Sequence, residues 1–375
     1  MRIDAGIRDR ILRGQPPDAA GLGELVQGEA ARLGQAGVDQ VRSELAADLL
    51  GAGPLEPFLA DAEVTDILVN GDGSVWVDRG RGLEQVAVTG LGSESTRRLA
   101  VRLAGQAGRR LDESQPWVDG LLSGGVRLHA VLPPLVDQGA HVSLRVPRQA
   151  GSRLAGLQAT GMFSAETGLL LRRLVERRVS LLVTGGTGTG KTTLLGGLLA
   201  EVPAHERVVL VEDVRELAVD HPHVVRLQGR AANVEGRGEV TLVDLVRQAL
   251  RMRPDRLVVG EVRGAEVREL LAALNTGHEG GCGTVHANSP EDVVARFEAL
   301  GALAGLSRAA VHAQFASAVQ AVVHVRRAPS GRTVESVSVL DRRDGVLSVA
   351  PALRCARGER GPGWPSLAAL LGEEP

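Results

Sequence analysis

A chain of 375 residues is long enough for two or three domains, and 43% hydrophobic with 23% charged residues is ordinary for a globular protein. A formal net charge of -2 with 2% aromatics excludes a broad basic footprint or a base-stacking surface, so no direct nucleic-acid partner is expected. Cys282 and Cys355 fit no zinc or redox spacing, and no run of 18 apolar residues occurs, which predicts free thiols in a cytoplasmic protein.

Residues 1–60 read as a helical lead-in with Gly and Pro breaks. Between 61 and 147 the texture changes to short β-prone runs with turn signals, predicting a small α/β domain. Its strands are expected at 64–69, 75–77, 86–88, 126–131 and 142–146, with a helix at 94–107. Residues 148–161 read as a Gly- and Ser-containing interdomain linker. From 162 to 350 strands alternate with helices, which indicates a parallel sheet covered on both faces. Beyond 351 a Gly- and Pro-rich composition predicts a loose tail to 375.

The sharpest signal lies in this second domain. An apolar strand at 179–184 runs into Gly185, Gly186, Thr187, Gly188, Thr189, Gly190, Lys191, Thr192 and Thr193, and a helical pattern follows. The spacing fits G-x-x-x-x-G-K-[ST]. Glycines let the backbone curl its N–H groups around phosphate oxygens, and the helix start adds its positive end. Lys191 is placed to reach the β- and γ-phosphates of ATP, and the Thr192 hydroxyl to join a Mg²⁺ shell. Lys191 is also the only lysine among 43 basic residues, at a position where a compact ammonium is not replaced by a planar guanidinium.

Two later strands end in acids: 208–211 in Glu212 and Asp213, and 257–260 in Glu261. In an open parallel sheet the carboxyl ends of strands share the ligand edge, so these acids are expected at the phosphates. One would hold Mg²⁺, directly or through water, and another would orient the attacking water. A third strand ends in His286. Spacing alone leaves open whether it contacts the γ-phosphate or is structural, and the same holds for His278. Most arginines read as solvated surface, including Arg109, Arg110, Arg247, Arg251 and Arg253. Arg127 and Arg145 sit inside alternating β patterns and are candidates for neutralising transition-state charge.

The stretches GPLEPFLADAEVTDILVNG, GVRLHAVLPP, GGTGTGKTTLL, VEDVREL, NVEGRGEVTLVDLVRQALRMRPDRLVVGEVRG and TVHANSP resemble the type II/type IV secretion ATPase superfamily, most closely its tight-adherence (CpaF/Tad-type) pilus assembly ATPases. The resemblance implies a RecA-like P-loop NTPase motor domain behind the smaller α/β domain. It makes Glu212 the acid that activates water, places Glu261 at the end of the Walker B strand, and gives His286 a γ-phosphate-sensing role. Arg127 and Arg145 fall where the family's N-terminal domain supplies arginines to the nucleotide. It further implies a homo-hexameric ring docked on an inner-membrane platform protein, hydrolysing ATP with Mg²⁺ to power pilus assembly or secretion. Cys282 stands where bulkier or hydroxyl residues are more usual. Two other functions fit a phosphate loop: a RecA-like nucleic-acid translocase, and a nucleotide-gated scaffold without turnover.

Overall fold

Alternation of apolar and polar residues at 66–69 and 75–78 buries one side of the strands formed there, and a computed structural model shows the sheet that results; it describes residues 51–147, 153–230, 232, 237–328, 331–343 and 346–373. The chain divides into two compact units, Met1–Arg148 and Gln149–Pro375. Most of the expected helical lead-in, 1–50, lies outside the described residues. Its last part does not stand apart: Ala52 and Leu55, beside the short helix α1 (Glu56–Ala60), are buried in the core of the first unit.

The first unit is a six-stranded antiparallel sheet. Its strands are β1 (Asp66–Val69), β2 (Val75–Asp78), β3 (Leu83–Val86), β4 (Trp117–Leu121), β5 (Arg127–Val131) and β6 (His141–Arg145), in the spatial order β3-β2-β1-β6-β5-β4. Ile67, Leu128, Ala130, Val142 and Leu144 share a core with Leu99, Ala100 and Leu103 of α2 (Ser93–Gln106). Strands β1, β2, β5 and β6 follow the sequence reading within two residues, whereas β3, expected at 86–88, forms at Leu83–Val86. Strand β4 was not expected, because Asp119 and Gly120 interrupt its apolar run. Arg127 and Arg145 are direct cross-strand partners. With Leu128 and Leu144 turned inward, the pleat puts both arginines on the opposite face of the sheet.

The second unit is a nine-stranded sheet between two helical layers. Six strands, β7 (Leu181–Gly185), β8 (Val208–Glu212), β9 (Val224–Gln228), β10 (Arg256–Val259), β11 (Cys282–His286) and β12 (Ala321–Ala328), run parallel in the order β12-β7-β11-β10-β8-β9. An antiparallel extension, β13 (Gly331–Arg343), β14 (Val346–Arg354) and β15 (Glu359–Arg360), continues beyond β12. Because β7 is buried on both faces, Leu181 and Val183 point into one core and Leu182 into the other. The first core is closed by α3 (Leu154–Ala159), α4 (Ala165–Glu176), α5 (Lys191–Leu199) and α10 (Trp364–Leu371). The second is closed by α6 (Leu242–Ala249), α7 (Val267–Leu274), α8 (Asp292–Leu303) and α9 (Arg308–Ala318). Ser164 and Thr241 cap α4 and α6, their hydroxyls accepting from Thr167 N and Asp244 N at 3.2 Å.

Two boundaries need correction. Within the expected linker 148–161, residues 154–159 form α3, and Leu154 and Leu157 belong to the core. The expected loose tail is largely ordered: β14 runs to Arg354, and α10 buries Leu367, Ala368 and Leu371. Both errors have one cause. Glycines punctuate 148–161, and glycines and prolines punctuate 351–375, yet the leucines among them still reach the core.

At the amino edge of the parallel strands Arg256 is 2% exposed and bridges four segments. Its Nε donates to Glu206 Oε2 at 2.6 Å, Nη2 to Val175 O at 2.9 Å and Nη1 to Gly280 O at 3.4 Å. Burial works to raise the Glu206 carboxyl, but Arg256 and Arg178 outweigh it and hold it below the ordinary range.

Candidate active site

The loop after β7 is shaped by contacts that only a missing side chain permits. At Gly185, with φ of 149°, a Cβ would overlap the Val325 carbonyl on β12. The loop then curls over its own lysine: Lys191 Nζ donates to Gly185 O at 3.0 Å and to Gly186 O at 2.8 Å, and Thr189 Oγ1 donates to Gly186 O at 2.9 Å. Lys191 and Thr192 open α5, so the helix's first N–H groups face the same place. Lys191 is buried, Thr192 half-buried, and Thr187, Gly188 and Thr193 exposed.

The strand order decides which expected partners reach the lysine. β11 is the neighbour of β7 and ends in His286, whose Nδ1 lies 3.4 Å from Lys191 Nζ. β10 is next and delivers Glu261, whose Oε1 is 2.8 Å from His286 Nε2. That approach lacks hydrogen-bond alignment, so this buried carboxylate oxygen has no hydrogen-bond partner among the described residues. The other oxygen, Oε2, pairs with Arg263. Burial, and then the Lys191 ammonium, hold the His286 pKa below its ordinary value, with Glu261 opposing. A neutral imidazole at pH 7 follows.

Glu212 is on the same edge but farther away. Its strand β8 is three strand spacings from β7, about 14 Å across the sheet. Its Oε1 accepts from Glu216 N at 2.9 Å and Leu217 N at 2.8 Å, and its Oε2 is 3.8 Å from Arg226 Nη1. Burial pushes its pKa up against the pull of those amides and of Arg226. Room for its stem is made by Gly260, where a Cβ would stand 2.7 Å from Glu212 Cγ. This explains why a glycine precedes Glu261 at the end of β10.

His278 is turned away to a backbone role, Nδ1 lying 3.2 Å from Ala273 O at the end of α7. Cys282 is buried on β11, and that burial pushes its thiol up to about 12. Arg127 and Arg145 belong to the first unit. Two polar residues near the loop carried no sequence signal. His324 sits beside β7 with Nδ1 2.9 Å from Thr184 Oγ1, and Arg332 Nε donates to Gly188 O at 3.0 Å.

The residues fit a hard divalent cation. Glu261 offers a buried oxygen that accepts no hydrogen bond among the described residues, and Thr192 a hydroxyl at the start of α5. Among the described residues no group of three or more His, Cys, Asp or Glu side chains could hold a metal alone. Phosphate oxygens and water would therefore complete the shell, as is usual for Mg²⁺.

The family model described as "Type II/IV secretion system protein" matches residues 48–358, which spans both units. The chain belongs to the type II/IV secretion system protein family. Within it, a Mycobacterium tuberculosis H37Rv protein named "Putative conjugal transfer protein" is 55% identical over 321 residues, 84% of this chain and 91% of that protein. The type IV secretion system protein VirB11 of Brucella suis is 32% identical over 263 residues, 64% of this chain and 73% of that protein. Two solved structures share the fold of this secretion-family chain. The pilus retraction motor PilT with bound ADP has a TM-score of 0.52 at 20% identity, over 79% of this chain and 80% of that one. The Legionella pneumophila ATPase DotB has a TM-score of 0.51 at 16% identity, over 85% and 87%. The fold is the two-domain RecA-like one expected from the resemblance.

Among the described residues no helix is long and apolar enough to cross a membrane.

Proposed function

We propose that this family member hydrolyses ATP with Mg²⁺ and works as a motor for pilus assembly or secretion of the tight-adherence type. The observation that carries the hydrolytic reading is the line Lys191, His286, Glu261, laid across adjacent strand ends at the glycine loop. Loop N–H groups and the start of α5 bind the phosphates. Lys191 leaves the loop carbonyls to neutralise the β- and γ-phosphates. A Mg²⁺ ion held there would supply positive charge against the negative charge that develops on transfer. Thr192 and Glu261 would hold that ion, Glu261 directly or through water. His286, neutral and placed between Lys191 and Glu261, reads the presence of the γ-phosphate. Glu212, with its carboxyl raised by burial, polarises the attacking water.

Conversion of hydrolysis into movement needs a second body. In this reading Arg127 and Arg145, paired on one face of the first unit, supply positive charge to a nucleotide within a homo-hexameric ring. The ring docks on an inner-membrane platform protein at the cytoplasmic face.

The test is phosphate release from Mg-ATP by the full chain, with sizing in the presence of a non-hydrolysable analogue. Lys191→Ala is expected to lower turnover by about 10²-fold or more. Glu261→Gln and Glu212→Gln are expected to lower it by roughly 10²- to 10⁴-fold while retaining ATP binding. Parent-level hydrolysis in Lys191→Ala would sink the assignment, and a persistent monomer with the analogue would remove the ring.

A further inference from the structure

Arg332 is 144 positions from the glycine loop in sequence, yet it touches the loop. It stands at the start of β13, which pairs with β12, and β12 runs parallel to β7 with His324 opposite Thr184. The last residue of β12 and the first of β13 therefore lie at the same carboxyl edge as the loop, on the side away from His286 and Glu261. Besides the 3.0 Å bond from Nε to Gly188 O, its stem packs on the loop, since a Cβ at Gly190 would stand 3.1 Å from Arg332 Cδ.

The consequence follows from the planarity of a trans peptide. The carbonyl oxygen of one residue and the N–H of the next point in opposite directions. With Gly188 O drawn toward Arg332, the N–H of Thr189 is turned the other way, away from Arg332. Two other loop carbonyls are pinned from within: Gly185 O and Gly186 O by Lys191 Nζ, and Gly186 O also by Thr189 Oγ1. The Gly188–Thr189 peptide is thus secured by a guanidinium from another strand. If that peptide turned over, an oxygen would face the phosphates and repel them.

We propose that Arg332 is a positioning residue for the phosphate loop, acting through the Gly188–Thr189 peptide to keep the Thr189 N–H directed at the bound phosphates. The proposal rests on the reading of this loop as a nucleotide site. Its effect is on the fraction of loops competent to bind, so affinity falls by that fraction when the brace is lost.

The experiment is calorimetric titration of the full chain with two probes, ADP and inorganic pyrophosphate, for the parent, Arg332→Ala and Arg332→Lys. Arg332→Ala is expected to weaken both probes by the same factor, about tenfold, the scale of one charge-assisted hydrogen bond. Arg332→Lys keeps a cationic donor and recovers part of the loss. At saturating ATP, kcat is expected to fall less than kcat/KM. Melting temperatures without ligand check the fold, and if Arg332→Ala unfolds the comparison rests on Arg332→Lys, whose affinity must then lie below the parent's. Parent-like affinity in a folded variant overturns the proposal. So does a loss for ADP with none for pyrophosphate, because Arg332 would then serve the nucleoside. A parent chain that binds neither probe overturns the nucleotide reading itself, and this proposal with it.

Discussion

His324 shows how a side chain that takes no part in the chemistry still ties the site to pH. Its Nδ1 is 2.9 Å from Thr184 Oγ1 and its Nε2 3.8 Å from Glu335 Oε2. Burial first, then Arg326 and Lys191, hold its pKa below the ordinary histidine value, with Glu335 and Glu291 opposing. An unfolded chain takes up this proton near about pH 6.5, the native imidazole only at lower pH. In that window the unfolded state binds more protons, so stability is fully present above it and falls as the pH drops through it. Urea denaturation of the parent and His324→Asn at about pH 7.5 and about pH 5.5 is expected to show the smaller acid loss in the variant. Equal losses would remove His324 as the cause. At this scale the sequence marked Lys191 and Glu261 as candidates, because each ends or follows a contiguous apolar strand, and it left His286 open between a phosphate contact and a structural role. It did not disclose Arg332, nor the Arg256–Glu206 pair, whose partners are 144 and 50 positions apart with no local pattern linking them.

Elements were legible where apolar runs were dense and obscure where turn formers surrounded them. α10 is the instructive miss: Trp364, Leu367, Ala368 and Leu371 repeat at helical spacing, but Gly361, Pro362, Gly363 and Pro365 beside them read as loop. In the structure Pro365 sits in the first turn, where it is tolerated, and Arg360 lies over the Trp364 ring at 4.1 Å. Leu367 is fully buried against the sheet. Leu367→Ala is therefore expected to cost about 2–5 kcal/mol in chemical denaturation of the second unit. A change within the error of the measurement would mean that α10 does not contribute to that core. The antiparallel extension was also longer than expected, since β13 carries Asp341 and Arg342 past the end of its apolar run.

For the whole molecule, alternation of strands and helices made the parallel sheet legible, whereas the strand order, which brings His286 and Glu261 to Lys191 and leaves Glu212 farther off, depends on long-range packing that no local pattern records. The two units have separate apolar cores. Calorimetry is expected to resolve two transitions, and ADP at 100 times its Kd should raise only the one belonging to the second unit, by about 2.7 kcal/mol. One transition raised as a whole would show that the units unfold together. The buried Arg256 gives the second unit a mechanical character of its own. By fastening the end of α4, the approaches to β8 and β11 and the first residue of β10 at one edge, it acts as a rivet against strands sliding past one another. The glycine loop lies at the opposite edge of the same sheet, so the strand ends beside it are the ones that Arg256 does not fasten.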